Sequence, residues 1–450
     1  METVTSVREP AWEFPGYRHA PPNHFLPWVA LQIPRLLHTI VLARVWLFLA
    51  MLTAMLLRPP DLQFYNLDRV ALGLTICSLF LRHAILRKPF AVPKLATLPL
   101  VGLLSIAIAD LVSHSFQQEA WSVLASKWAA PLIVYLLAGL VFDTPAALRK
   151  LEVFNLFVLA YLVVVAILFF LGAANMIFPS FIVDDSIGIH ADRARGPFLQ
   201  AVANGLALNL LGLLALDTFR RKRLGSLAAA FLFVALPVAI IATKTRAVWL
   251  SFAASGLALI FTSPSRRVRR VCTTLAVLGI IGAISALVLQ DRDNSFVDRL
   301  QEKSPVEFRL AVYQAGWEMF LMKPIHGWGF DAMQTELTRR VSEFHQKEFF
   351  LHNTYLEIAV QHGLIGLSLY IWLIIDLFRI GVSRRAKKLP PQGSFMDAQF
   401  RKLWPILLVV YLLNACFVVM NYQYVNALVF MIAGILAAQN RAPVPIAAAG

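Results

Sequence analysis

His352 stands where the longest polar segment of a very apolar chain meets its next apolar run, in Phe349-Phe350-Leu351-His352-Asn353-Thr354-Tyr355-Leu356-Glu357. An imidazole titrates near neutrality, so at a membrane surface it could take the proton of an attacking hydroxyl. Asn353 is a helix N-cap by type, and the same pattern also fits a capped helix with an interfacial histidine. His345, His326, His362 and His190 compete for the role of base. His362 lies well inside the apolar run and reads as structural, whereas His190 lies near Arg193 and could touch a substrate.

A second set of residues suits phosphate. Arg193 and Arg195 lie in Ala191-Asp192-Arg193-Ala194-Arg195-Gly196-Pro197-Phe198. Lys244 and Arg246 lie in Thr243-Lys244-Thr245-Arg246-Ala247, and Arg309 lies in Ser304-Pro305-Val306-Glu307-Phe308-Arg309. Guanidinium forks bind phosphate bidentately and stay charged at any relevant pH. Taken singly, each of these arginines could equally be a snorkelling side chain or half of a structural ion pair. A metal centre could be sought in Asp184, Asp185, Asp192 and the histidines, but no ligand spacing such as His-x-x-x-His is present, and none is expected. Neither a Walker A sequence nor a dinucleotide fingerprint occurs, and no cofactor is expected.

The elements that must hold these residues follow from composition. Hydrophobic residues make up 58% of the 450 and charged residues 15%, against about 25% charged in soluble domains. Such a chain would aggregate in water, which excludes a soluble protein and makes it an integral membrane protein. The net charge of +15 would point to nucleic acid in a soluble protein; in a membrane protein it marks cytoplasmic loops, and no nucleic-acid partner is expected. Cys77, Cys272 and Cys416 all lie in apolar runs and read as small buried hydrophobes.

With about 20 apolar residues needed per crossing, the hydropathy pattern predicts an all-α polytopic protein of about twelve transmembrane helices. The candidate spans are 36–57, 66–86, 95–113, 126–142, 152–172, 198–217, 226–243, 246–262, 271–289, 354–378, 403–420 and 423–438. Basic clusters fall in Arg87–Lys94, Asp217–Gly225, Ser263–Arg270 and Arg379–Lys402, and alternation puts all four on one side, the cytoplasmic one. Both termini are then inside. The expected organisation is a tail over 1–35, nine spans over 36–289, a periplasmic loop over 290–353, three spans over 354–440 and a tail over 441–450. In the long loop acids outnumber bases, and spacing around Phe308, Val312, Trp317 and Phe320 predicts amphipathic helices, with Gly327-Trp328-Gly329 as a turn. Long loops of this kind are usually functional. The arginines and His352 all fall on the side opposite the basic loops, where positive charge needs a reason. A lipid-linked diphosphate, whose charge must be held while a bond to it breaks, supplies one.

Four pieces in this order resemble the O-antigen ligase and O-antigen polymerase superfamily. They are Arg193-Ala194-Arg195-Gly196-Pro197-Phe198 with Asn204; Thr245-Arg246-Ala247; Arg309 with Trp317 and Pro324-Ile325-His326-Gly327-Trp328-Gly329-Phe330; and His352-Asn353-Thr354-Tyr355-Leu356-Glu357 with His362-Gly363-Leu364-Ile365-Gly366. The resemblance spans about residues 60–440 and implies a GT-C-like, metal-independent membrane glycosyltransferase. Its donor would be an undecaprenyl-diphosphate-linked glycan, its acceptor a saccharide or lipid-linked hydroxyl, and its place the bacterial inner membrane. Membrane lipids and a chain-length regulator are the other partners in this reading. His352 would be the base that activates the acceptor. Arg195 and Arg246 would hold the diphosphate, with Arg309 assisting and Arg193 as the alternative to Arg195. Asn353, Tyr355, His345 and Lys244 would be acceptor or sugar contacts. A polymerase of repeat units is preferred over a ligase acting on lipid A core, and both over an oligosaccharide flippase, whose charges would lie near the bilayer midplane.

Overall fold

A computed structural model describes residues 43–59, 66–86, 90, 92–114, 116–188, 191–288, 304–341, 350–382 and 389–441. The expected N-terminal tail, the C-terminal tail beyond Arg441, His190, His345 and Phe349, and the basic residues Arg384, Arg385, Lys387 and Lys388 lie outside the described residues. The regular elements are helical, with no strand among the described residues. They are α1 (Ala43–Leu56), α2 (Leu67–Leu86), α3 (Thr97–Val112), α4 (Gln118–Val141), α5 (Pro145–Phe170), α6 (Ala201–Arg220) and α7 (Ser226–Ala242). After these come α8 (Arg246–Thr262), α9 (Arg266–Val288), α10 (Ser304–Met322), α11 (Phe330–Arg340), α12 (Thr354–Val382), α13 (Phe400–Ala415) and α14 (Gln423–Gln439). Five of them, α2, α4, α5, α6 and α12, are long and apolar enough to cross a membrane.

Contacts between helix ends show the helices running alternately up and down. At one end Gln423 donates to Asp68, Tyr422 to Gln200, and the Ala194 amide to the Ala242 carbonyl. At the other end Arg44 and Arg82 meet Asp143, Arg221 meets Glu152 and Asp217, and Arg220 reaches Asp397. This second end also carries the basic runs that open α9 and close α6. Its ion pairs tie α5 and α6 to the segment before α13.

α6 is the central strut. Of its apolar window 83% is buried by other helices, against 22–50% for the other four long ones. Small residues let neighbours close in on it, as is usual where lipid supplies no hydrophobic drive. A Cβ at Gly205 would collide with Val248, and one at Gly212 with Leu236. Asn209 donates to Ser251 at 3.2 Å inside the α6–α8 contact. A close backbone approach joins α4 to α14, where Gly434 lies against the Tyr135 carbonyl and Gly139 against Ala438.

α4 starts well before the expected span at 126. Lys127, the charge near the start of that expected span, is buried at the π-helical turn Ala125–Ala129, with its Nζ 2.5 Å from Glu357 of α12. Unpaired, such a charge would be too costly inside a membrane; paired, it pins α4 to the helix that follows His352. α5 likewise starts earlier, capped by Thr144, whose hydroxyl accepts the Ala147 amide at 3.2 Å.

The segment between α9 and α12 contains two helices, α10 and α11, joined by the turn at Gly327 and Gly329. Both glycines have φ near +75°, a conformation that costs other residues dearly. The buried stripe of α10 is Val312, Ala315 and Met319, with Phe308 and Phe320 flanking it. Trp317, expected on that face, points outward and is 54% exposed, because it lies well round the helix from the i, i+3, i+7 stripe. The turn before α11 docks into a break in α12. Gly363 there has φ 63° and ψ −160°, outside helical values. The Leu364 amide donates to Pro324 at 2.7 Å, while the Trp328 and Gly329 amides donate to Val360 and Gln361 at 2.9 Å. The groups freed by the break are thus satisfied by the turn, which is what membrane depth demands. Asp110 completes the dock by accepting the Phe330 amide at 2.8 Å.

Candidate active site

A cavity of about 290 Å³ opens at the end of the bundle away from the basic runs. Four cationic side chains line it: Arg193, Lys244, Arg246 and Arg309. His352 lines it too, and so do Gln200, Asn421 and Tyr422. No carboxylate is among the described residues that line it, and the charge of that lining suits an anion better than a divalent cation. Among the described residues no three His, Cys, Asp or Glu side chains cluster as metal ligands.

Helix ends reinforce the sign of the charge. α6, α8 and α14 all begin at this cavity, after Gln200, Thr245 and Tyr422, and none of these three residues caps its helix with its side chain. The first amides of three helices, each carrying a positive dipole end, therefore add to the cationic side chains.

Each cation is placed by its local sequence. Lys244 sits in a three-residue link, Thr243–Thr245, too short to leave the helix ends. Lys244 takes a left-handed φ of 46°, and Thr243 and Thr245 fold the link by donating to Ile240 and Thr243 at 2.7 and 2.9 Å. Arg246 is then the first residue of α8. Arg309 comes from α10, and its charge is felt by two phenols, Tyr313 and Tyr422. Burial pushes both phenols up, and Arg309 opposes the rise.

Arg193 and Arg195 separate cleanly. The Arg195 side chain is fully buried: Nε donates to the Ile182 carbonyl at 2.9 Å, and the two terminal nitrogens donate to the Ile187 and Asp184 carbonyls. Its guanidinium is spent on shaping the 182–187 loop and does not line the cavity, contrary to the diphosphate role expected for it. Asn204 holds the same segment by donating to the Ala194 carbonyl at 2.8 Å, and a Cβ at Gly196 would strike that side chain. These contacts turn Arg193 toward the cavity, with Asp192 3.7 Å from its Nε.

His352 itself has φ 47°, a left-handed conformation unusual for a residue with a Cβ. The turn that imposes it is tied on every side. The Asn353 side chain accepts the Tyr355 and Leu356 amides at 3.0 and 3.1 Å and so caps α12. Thr354 donates to Val418 at 2.7 Å and accepts the Met420 amide at 3.0 Å. Tyr313 donates to the His352 carbonyl at 3.0 Å. Tyr355 points into the bundle and donates to Leu412 at 3.1 Å. Asn353 and Tyr355, expected as acceptor or sugar contacts, are thus occupied as cap and packing groups and do not line the cavity. His362 is buried beside the Gly363 break, and His326 is exposed on the turn.

Gln200, Asn421 and Tyr422 are the lining residues that sequence reasoning missed. Tyr422 donates to Gln200 at 3.2 Å across the cavity wall. The available signal was the tight link between the last two spans, which had to return to the same end of the bundle as His352.

A helical membrane protein with a cation-lined cavity and a histidine at one end is the class that fold and site define. Residues 229–371 match the family model described as O-antigen ligase. That segment carries the Lys244–Arg246 link, Arg309 and His352, and the match supports a place for the chain in the O-antigen ligase and polymerase superfamily, with a function of that type. No curated protein matches the chain.

Proposed function

We propose that this protein transfers a glycan from an undecaprenyl-diphosphate carrier to an acceptor hydroxyl at the periplasmic face of the inner membrane, most simply to polymerise repeat units of a surface polysaccharide. The carrying observation is the cavity that gathers Arg193, Lys244, Arg246 and Arg309 around His352, with no carboxylate among the described residues that line it. In this reading the cations and the three helix N-termini hold the diphosphate. His352 accepts the acceptor hydroxyl proton as its oxygen bonds to the anomeric carbon. The bond from that carbon to the phosphate oxygen breaks, its electron pair leaving with the diphosphate, and the anomeric configuration inverts. Charge developing on the leaving group is stabilised by fixed cations, so no metal is needed. Arg193 takes the diphosphate role in preference to Arg195, whose donors are committed to carbonyls.

The family description favours a second reading, a ligase that moves finished glycan to another acceptor. Product analysis separates the two. Purified protein mixed with its native lipid-linked repeat unit alone should yield longer lipid-linked glycan, and His352→Ala should yield none. Product only after addition of a second, different acceptor would replace polymerase with ligase. Turnover by His352→Ala would remove the histidine from the chemistry.

A further inference from the structure

α10 brings three residues to the His352 turn from one helix face. Arg309 lines the cavity. Phe308 places its ring edge-on to the His352 imidazole, centroids 6.2 Å apart at 70°. Tyr313, one turn beyond Arg309, donates to the His352 carbonyl at 3.0 Å and lies 3.4 Å from the Cys416 carbonyl. The phenol therefore bridges the turn before α12 and the link after α13.

A left-handed φ at a non-glycine residue is strained and persists only where its surroundings over-determine it. Asn353 and Thr354 fix the residues after His352, and Leu351 before it is buried against α10, near Gly316. The carbonyl of His352 itself is held by Tyr313. α10 is in turn anchored at its far end, where the turn before α11 enters the α12 break and Trp328 donates to Met319 at 2.8 Å. The backbone of the His352 turn is thus tied to a helix that is itself anchored at its far end, and Phe308 of that helix lies edge-on to the imidazole.

We propose that Tyr313 is a positioning residue: its hydroxyl locks the strained His352 turn so that the imidazole faces the anion held by Arg309. The proposal rests on the reading of His352 as the base. Burial raises the Tyr313 phenol above its ordinary range, which keeps it a protonated donor throughout the working pH range.

Tyr313→Phe deletes one hydroxyl and keeps the ring. In the transfer assay with the native lipid-linked repeat unit, kcat should fall about ten- to a hundred-fold, the range a small misplacement of a reacting group costs, with donor KM little changed. A second measurement needs no substrate. Diethyl pyrocarbonate labelling of the intact protein across pH, read by mass spectrometry, should show a several-fold altered rate at His352 in Tyr313→Phe and an unaltered rate at exposed His326. A purely packing role would lower thermal stability but leave KM-normalised turnover and the His352 labelling profile as in the wild type, and that result overturns the proposal. If His352→Ala itself turns over, the assignment of the base has failed instead. If His352→Ala is dead and Tyr313→Phe is wild type in both assays, the positioning role alone has failed.

Discussion

Arg195 and Arg246 are one residue type with two different uses. Arg246 opens α8 at the cavity, where its fork can grip two phosphate oxygens while the first amides of the helix add to the field. Arg246→Lys keeps the charge but loses the fork. Donor-dependent kcat/KM should fall by about tenfold or more, a loss of roughly 1.4 kcal/mol in transition-state stabilisation, with unchanged melting. Arg195 is buried against three backbone carbonyls. Arg195→Met strands those acceptors, at about 1–3 kcal/mol each when buried. Its signature should be a lowered melting temperature and poor recovery from detergent, with donor KM unchanged in the protein that does fold. A selective donor defect with unchanged melting would return Arg195 to the diphosphate.

Among the elements, the break in α12 is the feature on which the site geometry depends. His362-Gly363-Leu364-Ile365-Gly366 reads in the sequence as a family signature with no stated purpose; in the fold it is the receptacle for the turn at 324–329. A Cβ at Gly363 would collide with the Ile325 carbonyl, and one at Gly327 would meet Gln361 backbone at 2.5 Å. Neither obstacle is a side chain that can swing away. Gly363→Ala should therefore displace the turn and with it α10, costing several kcal/mol through clash and positive φ together. Reduced yield of monodisperse protein and loss of protease protection across the α10–α11 segment would check this. Normal yield and protection would mean that the dock tolerates strain these contacts forbid.

At the scale of the whole molecule, charge is sorted between two ends. One holds the cavity cations and converging helix N-termini. The other holds the ion pairs of Glu152, Asp217, Asp397, Arg220 and Arg221, together with the basic run that opens α9. The expected orientation puts the second end in the cytoplasm. A cysteine-free background carrying Gly225→Cys, where nothing lies within 4 Å of an added Cβ, or exposed Gln117→Cys tests it. An impermeant thiol reagent added outside intact spheroplasts should label Gln117→Cys and spare Gly225→Cys. The reverse pattern would invert the protein and move the cavity to the cytoplasm.

The sequence alone determined that this chain is a helical membrane protein and roughly where its long apolar helices lie, and it singled out arginines, a lysine and a histidine as candidates to meet a phosphate and a proton. These are legible because spans are read from composition over about 20 residues, and because side-chain chemistry is local. It began the fourth span at 126 and carried no sign of the partner of Lys127, which lies 230 residues away along the chain and makes that charge tolerable. It could not separate Arg193 from Arg195, since two residues along a loop differ only in what the rest of the fold offers their side chains. Gln200, Asn421 and Tyr422 were invisible for the same reason: they belong to the site through the return of the α13–α14 link. Tertiary structure decided which donors were already spent on carbonyls and which were left facing the cavity, because hydrogen-bond satisfaction is settled by neighbours in space.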